Sequence, residues 1–321
     1  QAVANVLLEG AKEEFWREFG RDLSHAKVVL DEAIIYSKAD LVTEMVYEFT
    51  ELQGVMGGYY ALKSGMDKKI ALALQEQYLP TGQSSRLPSS NLGSLVALAN
   101  KLDTIFSLFS LGLIPSGNKD PYALRRAALG ILRIVSDKGI TLNIQKLIDS
   151  THGSYPKIDK TAVESFVHER IFALYNTNPS IINAAISSQE RDLYELMLKI
   201  EALSEIANED GFSENFSTFK RVANISKDIE LDSELPIDSA LFEKDEEREL
   251  FSAYEFAKHN LSGGYEERLR KLFGLKSQID LFFDNVMVNA ENEQIRNNRK
   301  NLVGSIYKSI KEIADIKEIS I

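Results

Sequence analysis

The chain has no cysteine among its 321 residues. That excludes disulfides, thiolate zinc sites and cysteine nucleophiles, and it suits a reducing, cytoplasmic setting. Long apolar runs are missing too. The longest candidate, residues 105–114, is interrupted by serines and Gly112, well short of the about 20 residues a membrane span needs. No membrane partner is expected. The opening residues, QAVANVLLEGAKEEF, carry no basic region ahead of an apolar stretch, so no signal peptide is expected. They also lack an initiator methionine, which points to a piece of a longer chain. Histidine is scarce: His25, His152, His168 and His259. None is followed by Asp, none lies three or four residues from another, and there is no HExxH. A phosphate-binding GxxxxGK loop, a dinucleotide GxGxxG turn and a GxSxG nucleophile elbow are all absent. Acidic pairs such as Glu44 and Glu48 read as solvated helix faces. No catalytic residue and no metal ligand is assigned.

What is present is an ordinary globular composition, 44% hydrophobic and 26% charged, with enough residues for roughly two domains. The net charge of −11 argues against a general nucleic-acid binder. Its distribution says more. Residues 1–189 carry 19 Lys+Arg against 20 Asp+Glu, residues 190–257 carry 7 against 19, and residues 258–321 carry 11 against 9. The acidity sits in one middle segment, and either end can present a local basic face.

Helical periodicity dominates, and alternating β-branched runs are few, so an all-α chain is expected. The spacing predicts helices over 2–19, 24–37, 38–49, 50–63, 66–78, 92–111, 142–150, 161–175, 180–187, 189–208, 212–225, 246–259, 265–273, 276–287 and 292–316. Residues 80–91, 114–118 and the acidic stretch 226–247 read as irregular, and 152–159 reads as a linker. Gly54, Gly57 and Gly58 cluster inside a helical pattern, which marks close helix approach or a ligand. Asn91 is positioned to cap the helix after the first loop.

Residues 119–135, KDPYALRRAALGILRIV, form the most strongly marked helix. Asp120 can cap it, Pro121 suits its first position and Gly139 ends it. Ala123, Leu124, Ala127, Ala128, Ile131, Leu132 and Val135 make one wide apolar face. Arg125, Arg126 and Arg133 must point elsewhere, either to solvent or toward phosphates. In VALANKLD (96–103), Lys101 and Asp103 lie within an apolar helix and need partners; a salt bridge with a nearby arginine is the simplest. In ENEQIRNNRKN (291–301), Asn292, Arg296, Arg299 and Lys300 recur on one face. Such side chains meet unstacked bases and phosphates, or form a solvated polar face. Phe282, Phe283 and Tyr307 nearby read as core.

The runs KADLVTEMVYEFTELQGVMGGYYA (38–61), LVALANKLDTIFSLFSLGLIPSGNKDPYALRRAALGILRI (95–134) and FFDNVMVNAENEQIRNNRKNLV (282–303) closely resemble the β subunit of the two-subunit (α2β2) bacterial glycyl-tRNA synthetase. The resemblance covers essentially the whole chain, as the C-terminal half of that subunit. It implies an HD-like helical domain over 1–150, linker helices over 151–214 and an anticodon-binding helical domain over 215–321. It implies glycine tRNA and the synthetase α subunit as partners. No cofactor is implied within these residues, since ATP and Mg belong to the α-subunit active site. The chain departs from HD hydrolases at the run ANKLD (99–103), where Asn100 replaces the metal-binding Asp, and no His-Asp dyad occurs. Gln77 stands where the family often has a histidine, and Gly58 where it commonly has an arginine. The implied role is to grip glycine tRNA through Arg125, Arg126, Arg133, Asn292, Arg296, Arg299 and Lys300. A metal-dependent HD hydrolase and a purely structural adaptor for the α subunit are the alternatives.

Overall fold

Amphipathic helices with small-residue or polar caps build the whole chain. The computed structural model describes residues 1–151, 153–231 and 233–320; His152 lies outside them. Among the described residues there is no β-sheet, only isolated bridges at Ser116–Lys119 and Asn143–Asp192. The all-α expectation holds.

The chain divides into two units. The first is Gln1–Asn176 with Arg191–Tyr194, and the second is Thr177–Glu190 with Glu195–Ile321. Of residues 151–214, 151–176 and 191–194 fall in the first unit, and 177–190 and 195–214 in the second.

The first unit holds α1 (Ala2–Gly10), α2 (Glu13–Trp16), α3 (Leu23–Tyr36), α4 (Glu44–Glu48), α5 (Val55–Lys63), α6 (Lys68–Glu76), α7 (Asn91–Ser110), α8 (Leu124–Lys138), α9 (Ile144–Ser150) and α10 (Lys160–Ile171). Helix α7 is its axis, and α1, α6, α8 and α10 pack against it. By length and composition α7 is apolar enough to cross a membrane, which the count of uninterrupted apolar residues missed. In this fold 72% of its apolar window is buried inside the unit.

Several expected helices break where a backbone constraint outweighs periodicity. The 2–19 helix stops at Ala11, whose backbone is extended, and α2 then brings Phe15 into the core. The 38–49 and 50–63 helices are interrupted. Thr43 caps α4 with its hydroxyl, and Gly54 turns the chain into α5 at φ +79°, a conformation that favours glycine. Ser90, not Asn91, caps α7: its Oγ accepts from the Gly93 N–H at 3.0 Å. Asn91 is already helical, and its amide donates to the Phe15 carbonyl at 2.9 Å. Helix α8 starts at Leu124, so Pro121 lies outside it. Asp120 still satisfies its open end, accepting from the N–H groups of Leu124 at 2.8 Å and Arg125 at 3.0 Å. At the other end Gly139, at φ +61°, closes the helix as expected.

Helix α11 (Pro179–Ile186) opens the second unit, and α12 (Leu193–Ala207) follows. Then come α13 (Phe212–Ile225), α14 (Asp245–His259), α15 (Tyr265–Phe273), α16 (Lys276–Asn285) and α17 (Glu293–Lys311). Its core gathers Phe219, Leu250, Leu272, Phe282, Leu302 and Tyr307 among others. Phe282, Phe283 and Tyr307 are all buried, as the pattern predicts. The last helix ends at Lys311, short of residue 316. The chain then turns so that the Asp315 carboxylate accepts from the buried Tyr307 hydroxyl at 2.6 Å.

Candidate nucleic-acid interface

The arginines of α8 divide by what they touch. Arg125 donates to the carbonyls of Gly117 at 2.7 Å and Lys119 at 3.4 Å, closing the turn before its own helix. Arg133 donates to the carbonyls of Gly82 at 2.8 Å and Ser85 at 2.9 Å, pinning the loop between α6 and α7. Arg126 is exposed and makes no hydrogen bond or ion pair among the described residues. Of the three, Arg126 alone offers an unoccupied guanidinium.

The ANKLD run carries no arginine salt bridge. Lys101 is 8% exposed, and its ammonium donates to the carbonyls of Tyr78 at 3.0 Å and Pro80 at 3.1 Å. Burial without a carboxylate pushes it down to about 8. Asp103 is exposed and accepts from the Tyr155 hydroxyl at 2.7 Å. Asn100 donates to the Gln77 carbonyl at 3.4 Å, so the position that departs from the HD hydrolases and the one where the resembled family often has a histidine are neighbours. Among the described residues no cluster of three His, Asp or Glu side chains is arranged to hold a metal ion.

In the second unit, the polar face at the start of α17 is largely committed to structure. Asn292 caps the helix, its Oδ1 accepting from Gln294 at 2.9 Å and Ile295 at 3.3 Å. Arg296 donates to the Ala290 carbonyl at 3.0 Å. Arg299 is 4% exposed and points inward. It pairs with Glu247 at 2.8 Å and Glu243 at 2.9 Å, and donates to the Met287 carbonyl at 3.1 Å. Burial alone would raise the Glu247 carboxyl. Hydrogen bonds from Arg299 and from the backbone N–H groups of Lys244 and Glu243 outweigh that and hold it below its ordinary range. The same contacts hold the Arg299 guanidinium protonated. Arg299 is a buried structural ion, not a side chain free to meet a ligand.

Lys300 differs. It is half-buried and lines an open groove of about 590 Å³ together with Ser217, Lys220, Arg221, Asn224 and Asn289. Helix α13 supplies most of this lining. Phe216, Phe219, Val222 and Ala223 take its inner face, which leaves 217, 221, 224 and 228 outward at helical spacing. The Arg221 guanidinium lies 4.3 Å from the centre of the Phe283 ring, a cation–π contact that flattens it over an aromatic plate. The Lys220 ammonium stands 5.4 Å from the Phe216 ring. Lys220, Arg221 and Lys300 line this groove with one acid, Asp228; Lys220 also donates to the Ile319 carbonyl at 3.5 Å, and Arg221 lies near the Asp280 carboxylate. The polar stripe 217/221/224/228 was the available signal in the sequence; α13 read there only as a helix. Asn289 and Lys300 reach the groove from 60 or more residues away, beyond any local pattern.

These features define an all-α protein with a cation-lined groove in its second unit. Residues 9–187 match the family model described as the glycyl-tRNA synthetase beta subunit. The glycine–tRNA ligase beta subunit of Helicobacter pylori (strain G27) is 38% identical over 99% of this chain and 46% of its own length. That of Geobacter metallireducens is 39% identical over 92% and 44%, and that of Streptococcus thermophilus 39% over 88% and 42%. The chain belongs to the glycyl-tRNA synthetase beta subunit family, and it spans about half the length of the curated relatives it matches.

Proposed function

We propose that this chain is the tRNA-gripping part of a glycine–tRNA ligase, acting in the cytoplasm. It holds glycine tRNA, including its anticodon, while a companion α subunit joins glycine to the 3′ end with ATP and Mg. On this reading residues 1–150 are a degenerate HD-like scaffold, and the anticodon-binding part lies beyond residue 215. The observation that carries it is the basic groove on α13 and α17, found in a chain that belongs to this family.

The groove suits single-stranded RNA. Lys220 and Lys300 are placed for phosphates, and the Arg221 plane over Phe283 offers a stacking surface for an unstacked base. The amides of Asn224 and Asn289 offer both donors and acceptors to base edges. Arg126 adds an unoccupied cation on the first unit. Arg125, Arg133, Asn292, Arg296 and Arg299 serve by shaping the fold around these contacts.

The test uses the full-length β subunit with its α partner. Replacing Arg221→Ala and Lys300→Ala together is expected to weaken glycine tRNA binding at least 10-fold, since the loss of one stacked base alone costs about 1–3 kcal/mol. Glycine-dependent ATP–pyrophosphate exchange should be unchanged. Undiminished tRNA affinity in a filter-binding assay would remove the groove from the binding surface.

A further inference from the structure

Residues 39–62 turn most of their large apolar side chains outward, with Val46 buried and Leu52 and Met56 half-buried. In the short 3-10 turn Ala39–Val42, the carboxylate of Asp40 is buried while Leu41 and Val42 face solvent, Val42 at 90% exposure. Asp40 Oδ2 accepts from the N–H groups of Gly54 at 2.6 Å and Gly57 at 3.2 Å, anchoring the turn to the start of α5. Helix α5 repeats the inversion. Gly57, Gly58 and Ala61 are its buried side, and Val55, Tyr59, Tyr60 and Leu62 are exposed. The glycines are needed there. A Cβ on Gly58 would lie 2.6 Å from the Ala71 carbonyl and would also run into the Gln75 side chain, both on α6. Between these elements Met45, Tyr47 and Phe49 are exposed as well, Tyr47 at 80%.

Ordinary amphipathic packing buries large apolar side chains and exposes small and charged ones. Here tight backbone packing turns Val55, Tyr59, Tyr60 and Leu62 of α5 outward and leaves only Met56 of its large apolar side chains half-buried. An apolar face of this extent marks an interaction surface. Its chemistry narrows the occupant. Tyrosine, phenylalanine and methionine are the residues enriched in interfaces between proteins. Glu44, Glu48 and Glu51 lie exposed among them and make no ion pair among the described residues. A second copy of the chain, docked by two-fold symmetry, would set these acids against themselves. RNA would meet both apolar rings and carboxylates.

We propose that the outward face of residues 39–62 docks the companion subunit, at an apolar recess on that protein edged by lysines and arginines. This rests on reading the chain as part of a two-subunit enzyme, but it concerns a different surface from the groove. The test places Val42→Ser, Tyr47→Ser and Tyr59→Ser together in the full-length β subunit. Sedimentation velocity with the companion subunit should show association weakened at least 100-fold. The β subunit's own melting temperature and its tRNA affinity should be unchanged. A second variant, Glu44→Lys with Glu48→Lys and Glu51→Lys, should also weaken association, with a reduced salt dependence.

Unaltered association in both variants overturns the proposal. A fall of several degrees in the melting temperature of the isolated serine variant also overturns it, since the face would then pack within its own polypeptide. So does loss of self-association, which would assign the face to a second copy, or loss of tRNA affinity with assembly intact. Failure of the groove variants to affect tRNA binding leaves the assembly readout untouched, so the two readings fail separately.

Discussion

Lys101 carries a charge into α7 without an opposing carboxylate, and two carbonyls stand in for one. The unfolded chain holds that proton with an ordinary lysine affinity near 10.5, whereas the folded chain releases it at about 8. Between those values the unfolded state binds more protons, so stability rises with pH across that window. Below pH 8 both states are charged and the folded state bears the full cost of burial, about 3 kcal/mol at most from such a shift. Chemical denaturation should therefore show midpoints that climb from pH 8 toward 10. Lys101→Met should flatten that climb, even though it leaves the Tyr78 and Pro80 carbonyls without their donor. An equally steep climb in the variant would assign the slope to other groups. The sequence made it plain that this lysine needed a partner. It did not show which, because backbone carbonyls of a loop 21 or more residues away leave no trace in side-chain spacing.

At the level of elements, α13 and α15 fall where the periodicity puts them, since Gly211 and Gly264 stand directly before them. The breaks inside 2–19, 38–49 and 50–63 leave no mark in the periodicity because they depend on tertiary packing, on Phe15 entering the core and on Asp40 capturing α5. Helix α17 shows the same limit. Arg299 shares a face with Arg296 and Lys300 in sequence, yet its partners are Glu247 in the first turn of α14 and Glu243 just before that helix, more than 50 residues away. Removing one member of a buried pair leaves the other uncompensated. Arg299→Met is expected to destabilise the chain by about 3–5 kcal/mol, measured by denaturant unfolding. Where the variant is still folded, its tRNA affinity should match that of the parent. A selective loss of tRNA affinity at full stability would instead make Arg299 a contact residue.

For the whole molecule, a net charge of −11 opposes an approaching polyanion. On the proposed function, binding is confined to where the local potential is positive, and its salt dependence counts the few cations that meet phosphates. Single-strand binding loses affinity with a log–log slope of about −0.7 per neutralised phosphate. Lys300→Ala should reduce the magnitude of the slope for glycine tRNA by about 0.7. Substitution of the buried Lys101 should leave it unchanged. Titrations over a range of monovalent salt distinguish a lysine that meets a phosphate from one that merely sits near the groove. Only a global property, the acidic middle segment, was visible in composition; the reversal of sign inside the groove emerges when α13 and α17 are brought together.

The loop between α6 and α7 is irregular but is tied at several points. Glu76 accepts from Ser89 and Ser90, Lys101 holds the Tyr78 and Pro80 carbonyls, and Arg133 holds those of Gly82 and Ser85. Arg86 is exposed in its midst. Proteases cut segments they can draw out as extended chain, and tips of slack loops are their usual targets. The tryptic bond after Arg86 lies in a segment whose ties must release together before it can be drawn out. An irregular surface loop that carries an exposed arginine is therefore built to survive cleavage.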